Sequence, residues 1–103
     1  MNKRLEMLEK LTSSGKADAF AHYALALEYR KEGRFEDALA AFVTLKAHDA
    51  AYLPMYLMAG QMLVEVGRGA EARTWLEEGI TLARARGDGK ALGELESELA
   101  NAH

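Results

Sequence analysis

Apolar residues recur along this chain at three- and four-residue intervals, and strict alternation is absent. That pattern predicts helices throughout. The first covers about 3–12, with Leu5, Leu8 and Leu11 along one side, and Ser13-Ser14-Gly15 breaks it. Asp18 is placed to cap a second helix that runs to Glu32, with Gly33 as its stop. A third covers about 35–48. Glu36 and Asp37 stand in its first turn and Lys46 and His48 in its last, as the helix dipole favours. Pro54 suits the first turn of a fourth helix ending before Gly67. A fifth covers about 70–86, with Glu71 early and Arg84 and Arg86 late. Gly87-Asp88-Gly89 reads as a turn, and Asp88 caps a sixth helix to about Asn101. There Leu92, Leu95 and Leu99 form the apolar stripe, while Glu94, Glu96 and Glu98 face largely to water.

A longer period lies over the helical one. Residues 19–52 align with residues 53–86 at an offset of 34. Gly33 falls on Gly67, Arg34 on Arg68, Ala38 on Ala72, Phe42 on Leu76, Ala26 on Gly60 and His22 on Tyr56. A fixed period of that length in helix-rich sequence is the mark of stacked helical hairpins, and therefore of a binding scaffold rather than a catalyst. The expected fold is all-α, a right-handed α-α superhelix with two hairpin repeats and a helix at each end. It forms one domain over 1–103, with an N-terminal helix in 1–16, repeats at 19–52 and 53–86, and a capping helix in 88–103. Each aligned slot has a physical reading. Ala26 and Gly60 are small where two helices of a hairpin touch, and Ala38 and Ala72 face that contact. Phe42 and Leu76 fill the space between hairpins. Gly33 and Gly67 let the chain reverse with positive φ.

Composition narrows the classes. Half of the residues are apolar and 28% are charged, which excludes a disordered chain. No cysteine is present, so disulfides and thiolate metal sites are excluded. Glu6, Glu9 and Lys10 interrupt what a secretory signal needs as an apolar run, and no stretch approaches the ~18 apolar residues of a membrane span. A net charge of −3 draws the chain toward neither nucleic acid nor an anionic membrane. The expected location is cytoplasmic.

With these residues in place, the chain resembles the tetratricopeptide repeat (TPR) family, whose pattern is W-x2-L-G-x2-Y in the first helix and A-x3-F in the second. The first copy reads His22-x2-Leu25-Ala26-x2-Tyr29, then Ala38-x3-Phe42. The second reads Tyr56-x2-Ala59-Gly60-x2-Leu63, then Ala72-x3-Leu76. The chain departs from the pattern in three places. Ala50 and Arg84 stand where a proline follows the second helix, His22 replaces a large aromatic, and Phe35 has only Gly69 as its counterpart. The segment from Phe20 to Tyr29 also looks like that of short bacterial TPR proteins of similar length.

The resemblance implies a concave groove, lined by the first helix of each repeat, that holds a peptide or helix of a partner protein. Carried onto this chain, the groove consists of Phe20, Tyr23, Leu27, Arg30 and Lys31 from the first repeat and Leu57, Gln61, Val64 and Glu65 from the second. Tyr23, Leu27 and Arg30 do share one helical stripe, at i, i+4 and i+7. The plainer reading of Leu27 and Leu57 is helix-on-helix packing. Arg30, Lys31 and Arg34 form a basic cluster that either meets an acidic motif or is an ordinary solvated helix end. The carboxylate clamp of TPR co-chaperones is not expected, because Tyr23, Leu27 and Leu57 stand where its polar groups belong.

The remaining residues point away from chemistry. Met55, Met58 and Met62 share a helical stripe and read as core. His22, His48 and His103 lack metal-ligand spacing, and His22 reads as filler of a hairpin contact. Neither Gly67-Arg68-Gly69 nor Gly87-Asp88-Gly89 follows a strand, so neither is a phosphate loop. Glu77 and Glu78 lie about 100° apart on their helix and cannot face each other as an acid–base couple. Ser13, Ser14 and Ser97 have no His and Asp arrangement around them. No catalytic residue, metal or cofactor is expected. Two repeats would read almost no RNA. The expected function is protein–protein interaction with an unidentified protein or peptide. The alternative is a structural module that forms a homodimer through an end helix or Trp75, which reads either as packed under helix six or as an exposed contact.

Overall fold

The computed structural model describes residues 1–103 and is entirely helical. Its elements are α1 (Lys3–Ser13), α2 (Ala19–Lys31), α3 (Phe35–His48), α4 (Leu53–Glu65), α5 (Gly69–Arg86) and α6 (Gly89–Leu99). The all-α class and all six helices follow the sequence pattern, with ends displaced by two residues at most. The chain forms two compact units, Met1–Ala50 and Ala51–His103. No helix is long and apolar enough to cross a membrane.

In the first unit α2 packs against α3 and, more lightly, against α1. Asn2 holds the start of α1 in two ways. Its Oδ1 accepts the Leu5 N–H at 3.0 Å, which caps the helix. Its Nδ2 donates to Glu28 at 3.0 Å and to Glu32 at 2.8 Å, tying α1 to the end of α2. Arg4 adds an ion pair to Glu28 at 3.1 Å. Leu5 and Leu8 are buried under these contacts. Leu11 departs from expectation. It is 43% exposed, and Thr12 turns inward in its place, its hydroxyl satisfied by the Leu8 carbonyl at 2.8 Å.

The α2–α3 reversal is built on Gly33, whose φ is 75°. Its N–H donates to the Arg30 carbonyl at 3.0 Å and the next N–H, of Arg34, reaches back to Tyr29 at 2.9 Å. This is a Schellman closure, which needs a left-handed residue at its centre. Asp18 caps α2 as anticipated, accepting the Ala21 N–H at 2.9 Å.

In the second unit α5 packs against α4, and α6 lies on α5 with a smaller contact on α4. The hairpin contact is close at Gly60, where an added Cβ would stand 2.6 Å from Leu76 Cγ. Leu76 thus lies inside its own hairpin, over the glycine. Gly79 marks the three-helix junction, since a Cβ there would stand 2.6 Å from Tyr56 Cβ and 2.9 Å from Leu95 Cδ2. Leu95 is the buried member of the α6 stripe, Leu92 and Leu99 are half-buried, and Glu94 and Glu96 are exposed. Asp88 caps α6 by accepting the Ala91 N–H at 3.0 Å.

After α6 the chain returns to the start of α5. Ala102 is buried, its carbonyl accepts from Arg73 at 3.0 Å, and the His103 backbone covers Gly69. A Cβ at Gly69 would stand 2.8 Å from the His103 carbonyl carbon. The odd pairing of Phe35 with Gly69 in the repeat alignment therefore has a steric cause. Trp75 is 8% exposed, with its ring 6.0 Å from that of Tyr56. This corrects the reading of Trp75 as an exposed dimer contact, because the indole is spent on the interior.

Candidate functional site

The residues implied by the repeat pattern lie on α2 and α4. Helix α2 buries Ala21, His22, Ala24, Leu25 and Ala26. At 100° per residue these leave the side that carries Phe20, Tyr23, Leu27, Arg30 and Lys31 turned away from the α3 contact. Phe20 is 59% exposed, Lys31 is exposed, and Tyr23, Leu27 and Arg30 are half-buried. All five keep some exposed surface, and they form one stripe. Helix α4 buries Met55, Tyr56, Ala59, Gly60, Met62 and Leu63. Leu57, Gln61 and Val64 are half-buried and Glu65 is exposed, so the four share a second stripe on that helix. Of the methionines, Met55 and Met62 are core and Met58 is half-buried.

The basic cluster divides. Arg34 is not merely a solvated helix end. Its Nε donates to Asp37 Oδ2 at 2.9 Å, and its guanidinium lies 4.6 Å from the centre of the Tyr29 ring. The second repeat copies the ion pair, with Arg68 on Glu71 at 2.7 and 2.9 Å, a two-pronged contact that lowers the Glu71 pKa. The signal was present in the sequence, since both Gly-Arg turns are followed three residues later by an acid.

Two further arrangements escaped the sequence reading. His22, 5% exposed, stacks on His48, with ring centres 4.8 Å apart and planes inclined by 21°. Burial, and then the neighbouring His48, lowers the His22 pKa. No third metal-binding side chain joins the two. Tyr29 donates its hydroxyl to Glu9 Oε2 at 2.6 Å, across from α2 to α1. Burial and that hydrogen bond push the Tyr29 pKa up to about 12. Glu9, His22 and Tyr29 border an open cleft of about 360 Å³ between α1 and α3, floored by α2. No spacing rule links Glu9, Tyr29 and Asp37, which is why the cleft had to be seen in three dimensions.

No protein-family model matches the chain, and no curated protein matches it. Solved structures do. The crystal structure of a tetratricopeptide repeat domain protein from Salinibacter ruber is 34% identical in sequence. That match spans 84% of this chain and 96% of the other, with a TM-score of 0.75. A solution structure of a tetratricopeptide repeat domain protein from the same organism, also 34% identical, spans 82% of this chain and 86% of its own, with a TM-score of 0.76. A solution structure of a protein from Bordetella parapertussis is 26% identical over 99% of this chain and 89% of its own, with a TM-score of 0.82. With two hairpins in a 34-residue repeat and a third of its residues shared over most of both chains, this chain belongs to the tetratricopeptide repeat family.

Proposed function

We propose that this chain is a protein–protein interaction module that binds a peptide or helix of a partner through the outward stripes of α2 and α4. The observation that carries the reading is Phe20, a large aromatic left 59% exposed on a regular helix, beside Tyr23 and Leu27. An exposed aromatic on a rigid element loses little entropy on binding and supplies a large apolar contact. Helical repeats of this kind generally serve such interactions. Arg30 and Lys31 close the α2 stripe with positive charge and orient a partner that carries an acidic group nearby. Leu57, Gln61 and Val64 add a second mixed stripe, and Glu65 a negative end. The recognition is noncovalent and requires no cofactor.

Selection from random and C-terminal peptide display libraries tests this reading, with Tyr23→Ala/Arg30→Glu and Phe20→Ala as controls. One motif enriched on the wild type and lost on both variants is the expected result. Enrichment that survives both variants refutes the assignment of the stripe.

A second reading has its own observation. Met7 and Leu11 are exposed on α1, 58% and 43%. They favour self-association through this end helix, now without Trp75. A monomer by light scattering at high micromolar concentration disposes of it.

A further inference from the structure

Carried back one more period, the repeat alignment lays α1 on α3 and α5. Arg4, Met7, Leu8 and Leu11 then match Ala38, Ala41, Phe42 and Leu45 of α3, and Ala72, Trp75, Leu76 and Gly79 of α5. All of those counterparts are buried. In α1 only Leu8 is, while Met7 and Leu11 are 58% and 43% exposed and the Arg4 side chain is 61% exposed. Helix α1 is therefore built as the second helix of a repeat. It shows to solvent the side that α3 and α5 turn to the first helix of their hairpins.

Helix α6 presents the converse. Because α5 has 18 residues against 14 in α3, the pattern returns two residues late. Tyr56-x2-Ala59-Gly60-x2-Leu63 of α4 becomes Leu92-x2-Leu95-Glu96-x2-Leu99, the pattern of a first helix. Tyr56 and Leu63 are buried, whereas Leu92 and Leu99 are half-buried and Glu96 is exposed. Beside them runs an open groove of about 410 Å³, lined by Glu77, Ile80, Thr81 and Arg84 of α5 and by Glu96 and Leu99 of α6. Two periods earlier Glu77, Ile80 and Thr81 are Glu9, Thr12 and Ser13, which line the cleft that α3 walls in the first unit. The groove is the same cleft without a second helix on its far side.

The charges of the two surfaces are opposite. Lys3, Arg4, Lys10 and Leu11 lie within about 60° of Met7 around α1, so every charge on that side is a cation. Helix α6 carries Glu94, Glu96 and Glu98 against the single Lys90. The slots that are small in both hairpins, Ala26 with Ala38 and Gly60 with Ala72, hold Glu96 on α6 and Arg4 on α1. Both residues have a partner in their own chain, Arg84 and Glu28, and both keep more than half of the side chain exposed, 51% and 61%.

We infer that the α5–α6 groove of one copy receives the Met7–Leu11 side of α1 from a second copy, which completes a helical hairpin between chains. Met7 and Leu11 on Ile80 and Leu99 supply the apolar contact, and the opposite charges set its register. The inference rests on the self-association reading above and gives α1 a partner surface other than a second α1. Such a contact is heterologous, since each copy offers one half on α1 and the other on α5 and α6.

The test is sedimentation equilibrium of the full chain and of two variants, each altered only at exposed positions: Met7→Glu/Leu11→Glu on α1 and Thr81→Arg/Glu96→Arg on the groove. The average mass of the wild type is expected to rise above that of the monomer toward high micromolar concentration. Each variant alone should stay monomeric there. An equimolar mixture of the two should form a dimer and nothing larger, because one intact half remains on each. A wild type that is monomeric throughout overturns this contact and the self-association reading together, and leaves the α2 stripe untouched. Association of either variant alone to the wild-type extent overturns this contact. If that variant is the groove variant, self-association through α1 still stands. A mixture that stays monomeric while the wild type associates overturns the contact as well. Should either variant unfold, an NMR dilution series of the wild type decides. Amides of Met7, Leu11, Thr81 and Glu96 that shift together with one dissociation constant support the contact, and shifts confined to α1 overturn it.

Discussion

The two hairpins of this protein reverse direction by the same device and are filled by different ones. Gly33 and Gly67 have φ of 75° and 78°, and the N–H groups of Arg34 and Arg68 return to Tyr29 and Leu63 at 2.9 and 2.8 Å. Each of these arginines then pairs with an acid three residues on. Inside the hairpins the matching positions diverge. Leu45 of the first repeat faces Gly79 of the second in the alignment, Phe35 faces Gly69, and Ala41 faces Trp75. In the second unit each glycine sits under something that arrives later in the chain, Leu95 over Gly79 and the His103 backbone over Gly69. A turn is solved locally and can be copied, whereas an interior answers to whatever packs on it, and the two repeats have different flanking helices.

Swapping residues between the repeats breaks the comparison most sharply at Gly79. Gly79→Leu gives the second repeat the residue of the first. Its Cβ meets Tyr56 Cβ, which cannot yield without moving α4, and the end of the buried Leu95 side chain. We expect a loss of about 3 kcal/mol or more, at the upper end for overpacked cores. Denaturant unfolding measures the loss, and amide exchange should show α6 released first.

Gly60→Ala is the milder swap. Ala26 occupies the matching slot, but at Gly60 the new methyl meets Leu76, which is fully buried. The gain in helix propensity offsets part of the crowding, and a net cost of about 1–2 kcal/mol is expected by thermal or chemical unfolding. A neutral outcome would mean that Leu76 finds another rotamer.

Titration separates the repeats by chemistry. His22 and Tyr29 of the first repeat match Tyr56 and Leu63 of the second. The His22 pKa is lowered in the folded chain, so its contribution is present above the unfolded value of about 6.5 and is lost as pH falls through the folded one. The Tyr29 pKa is raised to about 12. Its contribution is present below about pH 10 and is lost as pH rises from there toward the folded value. Stability measured against pH should decline at both ends, with His22→Tyr flattening the acid side and Tyr29→Phe the alkaline side.

The smallest effect is expected where the repeats agree. Arg34→Ala and Arg68→Ala each remove an exposed, solvent-screened ion pair and should shift the denaturation midpoint least of all these changes. A larger loss at Arg34 than at Arg68 would sharpen the contrast, because only Arg34 also covers an aromatic ring.

Much of this was legible in the residues. Caps at Asp18 and Asp88, glycine stops, and a 34-residue repeat of small and bulky slots depend on groups within a few positions of each other, so the local sequence suffices to place six helices. The exposed stripe of α2 was legible for the same reason, since helical periodicity alone separates Phe20 and Leu27 from His22 and Leu25. The inward turn of Thr12 in place of Leu11 was not. Both residues are compatible with a helix, and only the fit of α1 on α2 chooses between them. The burial of Trp75, the stacking of His22 on His48, the bond from Tyr29 to Glu9 and the covering of Gly69 all join residues 19 or more positions apart. Sequence by itself determined the helices, their turns and their repeat, because those obey short-range hydrogen bonding and sterics. Tertiary structure alone decided which glycine is covered, which aromatic is buried and where a cleft is left open, because those depend on the volume that distant segments bring to the same place.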